Sequence, residues 1–262
     1  MSEQSDFGFS KQASTAICDE QPDVNNSYVC AIQRLAGYDT LELTSKSSFI
    51  DVLLLLFRLD LPEQQEKHYF EALMIGLINP GPRHPATRAA MSVGISKANP
   101  EHILPIALNV LGGERGGAAE VIAAYQFIEY NQGNNPKTVA SSLKLNSQER
   151  FAPGFGRHFG QADTYIKNLS QTIAKQFPSF SCLQWAITVA TELESQHAGL
   201  LDIGLAAAVC CDLSLGARES AALYQYIRAP GLIAHGLEQT HRPITDIPMV
   251  EDHHYVYEAH KP

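Results

Sequence analysis

Apolar positions along this chain recur mainly at helical spacing and only rarely at the strict alternation of a half-buried strand. Ser47 and Ser48 precede Phe49, Val52, Leu53, Leu56 and Phe57, which fall on one helical face with serine caps ahead of it. Pro62 opens the next predicted helix, with Glu63 and Glu66 in its first turn and Phe70, Leu73, Met74 and Leu77 along its core face. The segment Asn79 to Pro85, NPGPRHP, can only be a loop. Further helices are predicted at about 86–97, 101–111, 117–131, 163–177, 179–197, 203–213, 217–227 and 230–241, with Pro230 interrupting between the last two. No run of alternating strands joined by hairpin turns stands out, and no tandem repeat. The tail from His253 reads as a short strand or as extended chain. The pattern predicts an all-α protein of about ten helices.

Two glycine-rich interruptions lie between long helices, LGGERGGAAEV (Leu111 to Val121) and APGFGRHFGQAD (Ala152 to Asp163). Glycines let backbone approach a ligand or another chain closely, and the amides at the following helix start attract anions. Neither matches the phosphate loop GxxxxGK[ST], because no lysine follows the glycines. Either one alone reads as a tight helix–helix connection. Two, each carrying an arginine, make a better case for a site.

Composition narrows the classes. The 262 residues hold 28 acidic and 19 basic side chains, a formal charge of −9, which is not the basic footprint of a nucleic-acid binder and would be repelled by an anionic membrane. Charged residues are 18% of the chain, below the usual ~25%, while apolar residues reach 45%. That balance predicts a sizeable core and surface buried between subunits. The longest aliphatic run, Val52 to Phe57, is far short of the ~20 residues that span a bilayer. The polar opening MSEQSDFGFSKQAS does not read as a signal peptide. Five cysteines (Cys18, Cys30, Cys182, Cys210 and Cys211) show no CxxC spacing and read as reduced thiols of a cytoplasmic protein, with no metal site.

Five stretches, in order, resemble the citrate synthase superfamily, and most of all its short, citryl-CoA lyase-like members, over residues 30 to 250. RLAGYDTLEL with SFIDVLLLLFRLDLP resembles the family's opening, LGGERGGAAEV its "HGGA.E", and PGFGRHFG its "GFGHRV". ARESAALYQYIRAPGLIAHGLEQ, followed by Arg242–Pro243, resembles the closing "AR..G..AH..EQ…RP". The resemblance implies a helical fold with a large domain (1–124 and 206–262) and a small inserted one (125–205) closing over a cleft in a homodimer. It also implies carbon–carbon bond formation or cleavage, of Claisen or aldol type, between an acyl thioester and a polycarboxylate or keto acid. CoA would then be a substrate; no tightly bound cofactor is expected.

Such chemistry needs a base for the α-proton, donors for the developing oxyanions and cations for the carboxylates. The family uses an aspartate and two histidines for proton handling, and this chain departs at each. The "HGGA" histidine falls on Arg115 and the "GFGH" histidine on Arg157, with His158 one place later. The aspartate falls on Ile203, beside Asp202. The family's substrate-binding histidine falls on Pro80, four residues before His84, and the arginine of its "DPR" triplet on Tyr165. Arg228 matches the carboxylate-binding arginine, and Arg242 the one that family dimers contribute to the neighbouring site. The candidate catalytic set is thus Arg115, Arg157, His158 and Asp202, with Arg228, Arg242 and His84 binding substrate. Arginine cannot act as acid or base at neutral pH, since its pKa exceeds ~12, but it can clamp an anion.

Three readings compete: a remodelled enzyme of this class, a non-catalytic relative that binds a small polyanion as sensor or partner subunit, or a different reaction in the same cleft. The enzyme is slightly favoured, with ordinary citrate synthase activity expected to be absent or weak. CoA binding is in question because Phe159 to Ile166 carries no basic residue. Glu63 to Lys67 reads as a solvated helix face, Trp185 and His235 as core residues, Glu120 as structural, and His253–His254 as without specific function.

Overall fold

The computed structural model describes residues 12–248 and 250–259. Most of the opening segment on which the signal-peptide reading rests lies outside the described residues, as do the last three residues of the tail. The chain divides between His68 and Tyr69 into two compact units.

The first unit carries a feature the apolar pattern did not predict. Strands β1 (Cys18–Pro22), β2 (Cys30–Leu35) and β3 (Tyr38–Asp39) form an antiparallel sheet in the order β1-β2-β3, with Cys18 opposite Leu35 and Gln21 opposite Ile32. Most of its residues are exposed, so no buried face imposed an alternating pattern. The connection is held instead by side chains that accept from backbone, Asp23 from the Asn25 amide (2.8 Å) and Asn26 from the Tyr28 amide (3.0 Å). Helix α1 (Thr40–Lys46) is capped by Asp39, which accepts from the amides of Leu41 and Glu42. Helix α2 (Phe49–Arg58) starts with a capping box in which Ser48 and Asp51 serve each other's backbone amides. Its buried residues are Ile50, Leu53, Leu54 and Leu55, so the expected face is displaced by about one position and Phe49 is largely exposed. The Glu63–Lys67 stretch is also not simply solvated. Glu66 pairs with Arg58 at 2.8 Å and Lys67 with Asp51 at 3.2 Å, and all four side chains are mostly buried.

Helix α3 (Gln64–Leu77) starts two residues after Pro62, and Tyr69, Phe70, Leu73 and Leu77 are its buried residues. The second unit continues with α4 (Pro85–Ile95), α5 (Ile103–Leu111), α6 (Ala118–Asn131), α7 (Pro136–Ser142), α8 (Thr164–Gln176), α9 (Ser181–Leu193), α10 (Asp202–Asp212) and α11 (Ala217–Thr240). The all-α expectation holds, since both sheets are small. Helix α7 was missed although Asn135 caps it and Pro136 opens it. The expected 179–197 helix is shorter, giving way to a 3-10 turn at Glu194–Gln196. Three short strands, β4 (Arg150–Ala152), β5 (Phe155–Gly156) and β6 (Gly199–Leu200), pair antiparallel in that order.

The core of this unit centres on α10, where every residue from Ile203 to Cys210 is buried. Each large apolar side chain buried this way is worth roughly 1.5–3 kcal/mol. Helix α11 packs on α4, α5, α6 and α10. It runs unbroken through Pro230, against expectation. The proline ring removes one backbone donor, but buried Ile227, Arg228, Gly231 and Leu232 around it anchor the helix on both sides. Two pairs of glycines set the approach of the site-bearing elements. A Cβ on Gly94 of α4 would sit 1.9 Å from the Gly236 carbonyl of α11, and one on Gly204 of α10 would sit 2.3 Å from the Gly154 carbonyl. Trp185 is buried, its indole donating to the Asn134 carbonyl (3.0 Å), as expected of a core residue. The tail after a 3-10 turn at Asp252–His254 is without regular structure through Ala259. Among the described residues no helix is long and apolar enough to cross a membrane.

Candidate active site

A cleft of about 180 Å³ lies within the second unit, where the start of α4, the loop before it, the β5–α8 loop, the start of α10 and the middle of α11 meet. Its polar lining includes Asn79, Arg83, His84, His158, Asp202 and Arg228.

Arg228 is the most buried of these, its side chain only 4% exposed. It reaches the cleft from α11 and pairs with the Asp202 carboxylate, which also accepts a hydrogen bond from the Tyr224 hydroxyl at 2.9 Å. The guanidinium lies over the Tyr224 ring, 5.1 Å from its centroid. Burial and the neighbouring Asp202 push the Tyr224 phenol well above its ordinary range, so it stays a donor. Arg228 Nε is buried and has no hydrogen-bond partner among the described residues. A buried cationic N–H without an acceptor costs about 1–3 kcal/mol, so this group fits an anionic ligand or water.

His84 caps α4. Its Nδ1 accepts the Ala86 amide at 3.1 Å, so the hydrogen of the neutral ring is on Nε2, which lies 3.4 Å from the Gly116 carbonyl. Burial lowers its pKa, with the Arg228 charge and His158 adding to the effect against the Gly116 carbonyl and Asp202. A neutral imidazole with a fixed Nε2–H is a hydrogen-bond donor for a carbonyl oxygen or oxyanion. His158 lies on the other wall, its backbone bridged to Gln161 (2.7 Å) and its ring against Phe159.

The cleft therefore gathers four of the seven residues expected from sequence: His84, His158, Asp202 and Arg228. It does not gather the other three. Arg157 donates from Nε and an Nη to the Gln196 carbonyl at 3.0 and 2.9 Å, which ties the β5–α8 loop to the 3-10 turn after α9. Arg115 is exposed and lines a neighbouring cavity of about 360 Å³ with Glu114, Asn146 and Gln148, which shares Arg150 with the cleft. Arg242 follows α11 and pairs with Glu238 (2.9 Å) and Asp246 (3.7 Å). Ile203, the position that aligns with the family's aspartate, is fully buried, and Asp202 is the residue that faces the cleft. Asp202 is engaged with Arg228 rather than directed at His158. His235 is half-buried with Nε2 3.1 Å from Asn79 Oδ1. His253 and His254 are exposed beside Glu251.

Arg150, Arg83 and Tyr224 were not singled out. Arg150 donates to Glu120 (2.7 Å), which also accepts the Gly116 amide (2.7 Å), so Glu120 is structural and joins both glycine-rich loops. Thirty positions separate that pair, and no local signal reveals it. Tyr224 was legible in principle, one helical turn before Arg228, and Arg83 stands next to His84. A second groove, about 530 Å³, shares Arg83 and Phe159 with the cleft and adds Arg88 and Met91.

This helical architecture is citrate synthase-like. No protein-family model and no curated protein matches the sequence. Among solved structures the chain is similar to a citryl-CoA lyase from Hydrogenobacter thermophilus, with 21% identity over 95% of both chains and a TM-score of 0.75. It is similar to the ATP citrate lyase of Methanothrix soehngenii in complex with citrate and coenzyme A, with 18% identity over 97% of this chain but 44% of that one, and a TM-score of 0.71. The citrate synthase of Thermotoga maritima is similar over 96% of both chains at 14% identity and a TM-score of 0.54.

Proposed function

We propose that the protein is a carbon–carbon bond-forming or -cleaving enzyme of the citrate synthase type, acting on a small polycarboxylate or keto acid and an acyl thioester. The observation that carries this reading is Arg228, a buried guanidinium at the cleft with one N–H unpartnered. The fold it shares with a citryl-CoA lyase supports the reaction class. In this reading Arg228 and Arg83 hold carboxylates, and His84 donates Nε2–H to the carbonyl oxygen that becomes an oxyanion. His158 handles the proton, and Asp202 takes it only after an incoming carboxylate competes for Arg228. At about 180 Å³ the cleft is smaller than the roughly 300–1,000 Å³ of a pocket enclosing a drug-sized ligand, so it suits a small acid. The tail of a thioester would run outside, along the groove of Arg83 and Arg88, which supplies the cations missing from the Phe159–Ile166 loop. Residues 125–205 would be the smaller domain closing over the cleft. Arg242 would complete the cleft of the neighbouring subunit in a homodimer, consistent with its half-exposed position.

Ordinary citrate synthase activity would be absent or weak. The positions of two family histidines hold Arg115 and Arg157, both outside the cleft, and losing one general acid or base typically costs about 10²–10⁴-fold. A second reading, a non-catalytic polyanion sensor, draws support from the engagement of Asp202 by Arg228 and Tyr224. A thermal-shift screen of citrate, oxaloacetate, acetyl-CoA and citryl-CoA separates them. A ligand at 100 times its dissociation constant stabilises by about 2.7 kcal/mol. Thioester shifts with turnover of citryl-CoA support the enzyme; shifts with free polycarboxylates alone support the sensor. Turnover of acetyl-CoA and oxaloacetate at several per second, near the usual median of ~10 s⁻¹, contradicts the remodelled site.

A further inference from the structure

We propose that Cys182 and Cys211 form a reversible intramolecular disulfide, making the junction of α9 and α10 an oxidation site. Cys182 is the second residue of α9 and Cys211 the last but one of α10, and their sulfurs lie 3.3 Å apart. The two helix ends are already clasped. Asp212 accepts from the amides of Cys182 (2.7 Å) and Leu183 (3.0 Å) and from the Tyr69 hydroxyl (2.9 Å), which fixes the backbone on both sides of the sulfur pair. The sulfurs then have to close from 3.3 Å to the ~2.05 Å of a bond.

The pair is also asymmetric. The hydrogen of the Cys182 thiol has two acceptors, Cys211 Sγ and Gln132 Oε1 (2.8 Å). Donation to Cys211 favours that thiolate, while Cys182 is buried and stays protonated. Cys211 is half-exposed and within reach of a small oxidant. Its neighbour Cys210 is fully buried beside Ser220 and is excluded by the 100° step between adjacent helical residues.

With a hydroperoxide as oxidant the chemistry balances. The Cys211 thiolate attacks the peroxide oxygen, giving a sulfenic acid and hydroxide, which a proton converts to water. The Cys182 sulfur then attacks the Cys211 sulfur, forming the S–S bond and releasing a second water. Two thiols and one hydrogen peroxide thus become one disulfide and two waters, and a dithiol reductant reverses the change.

The test uses hydrogen peroxide on the purified full chain, followed by alkylation and peptide mapping. No lysine or arginine lies between Gln176 and Ala217, so cleavage after Glu192 and Glu194 is needed to separate the cysteines. The expected product links the fragment holding Cys182 to that holding Cys210 and Cys211, disappears with dithiothreitol and melts several degrees higher than the reduced chain. Cys210→Ser should still form it and Cys211→Ser should not. In Cys182→Ser, Cys211 should instead proceed to the sulfinic acid. Oxidation confined to exposed Cys30, linkage through Cys18 or Cys210, or no link in the wild-type chain would overturn the proposal. These readouts need none of the three variants to be active and do not depend on what the cleft binds.

Discussion

At the scale of single residues, what distinguishes this cleft is the way His84 and Asp202 are held before any ligand arrives. His84 shows it best. Its Nδ1 is occupied by the Ala86 amide, so protonation would set two donors against each other and break the α4 cap. Burial lowers its folded pKa below the ordinary 6.5, which means the unfolded chain takes up the proton first. The stabilisation is therefore complete above about pH 6.5 and is lost as pH falls from there through the folded value. Replacing His84 by asparagine, which can still cap, should flatten this dependence between pH 7.5 and 5. Urea denaturation at both values measures it, and an unchanged slope would show that His84 does not titrate as described.

The same residue scale shows what the sequence could reveal. Arg228, His84, His158 and Asp202 were legible because each lies at or near a motif position, and motif positions are local. Arg115 and Arg157 were misleading for the same reason. A motif places the backbone, but the guanidinium reaches several ångströms further, and Arg157 spends that reach on the Gln196 carbonyl. Arg150 escaped notice because its partner, Glu120, is distant in sequence.

At the scale of elements, close backbone approach decides where those side chains can meet. His84 and Arg228 stand on α4 and α11, which cross where Gly94 faces the Gly236 carbonyl. A methyl group there would meet the Gly236 backbone and the Gln239 Cβ, neither of them the flexible end of a side chain. Gly94→Ala should therefore destabilise the fold by at least ~2 kcal/mol, through overpacking rather than backbone conformation. Gly133→Ala, with open space around its Cβ position, is the control and should stay within about 0.5 kcal/mol. Equal melting of both variants would contradict the crossing geometry. Helical period found most of these elements, since their apolar faces are buried. It failed at the exposed β1–β2 hairpin, where no burial imposed a pattern, and at Pro230, where tertiary packing outweighs a local breaker.

At the scale of the whole molecule, the low charge fraction and the half-exposed Arg242 lead to a homodimer as the proposed working form. Light scattering at micromolar concentration should report twice the 28.7 kDa chain mass. A folded monomer would remove the role proposed for Arg242. The proposed function rests on a narrower point, the buried Arg228 guanidinium at the cleft, whose Nε–H has no partner among the described residues. Calorimetric titration of citrate into the wild-type chain and into Arg228→Ala tests it. The wild type should bind, and the variant, folded by circular dichroism, should bind at least about 10-fold more weakly, the 1.4 kcal/mol or more expected of a charge-assisted hydrogen bond. Equal citrate affinity in both, or no binding heat in the wild type over the whole titration, would show that the cleft is not a carboxylate site.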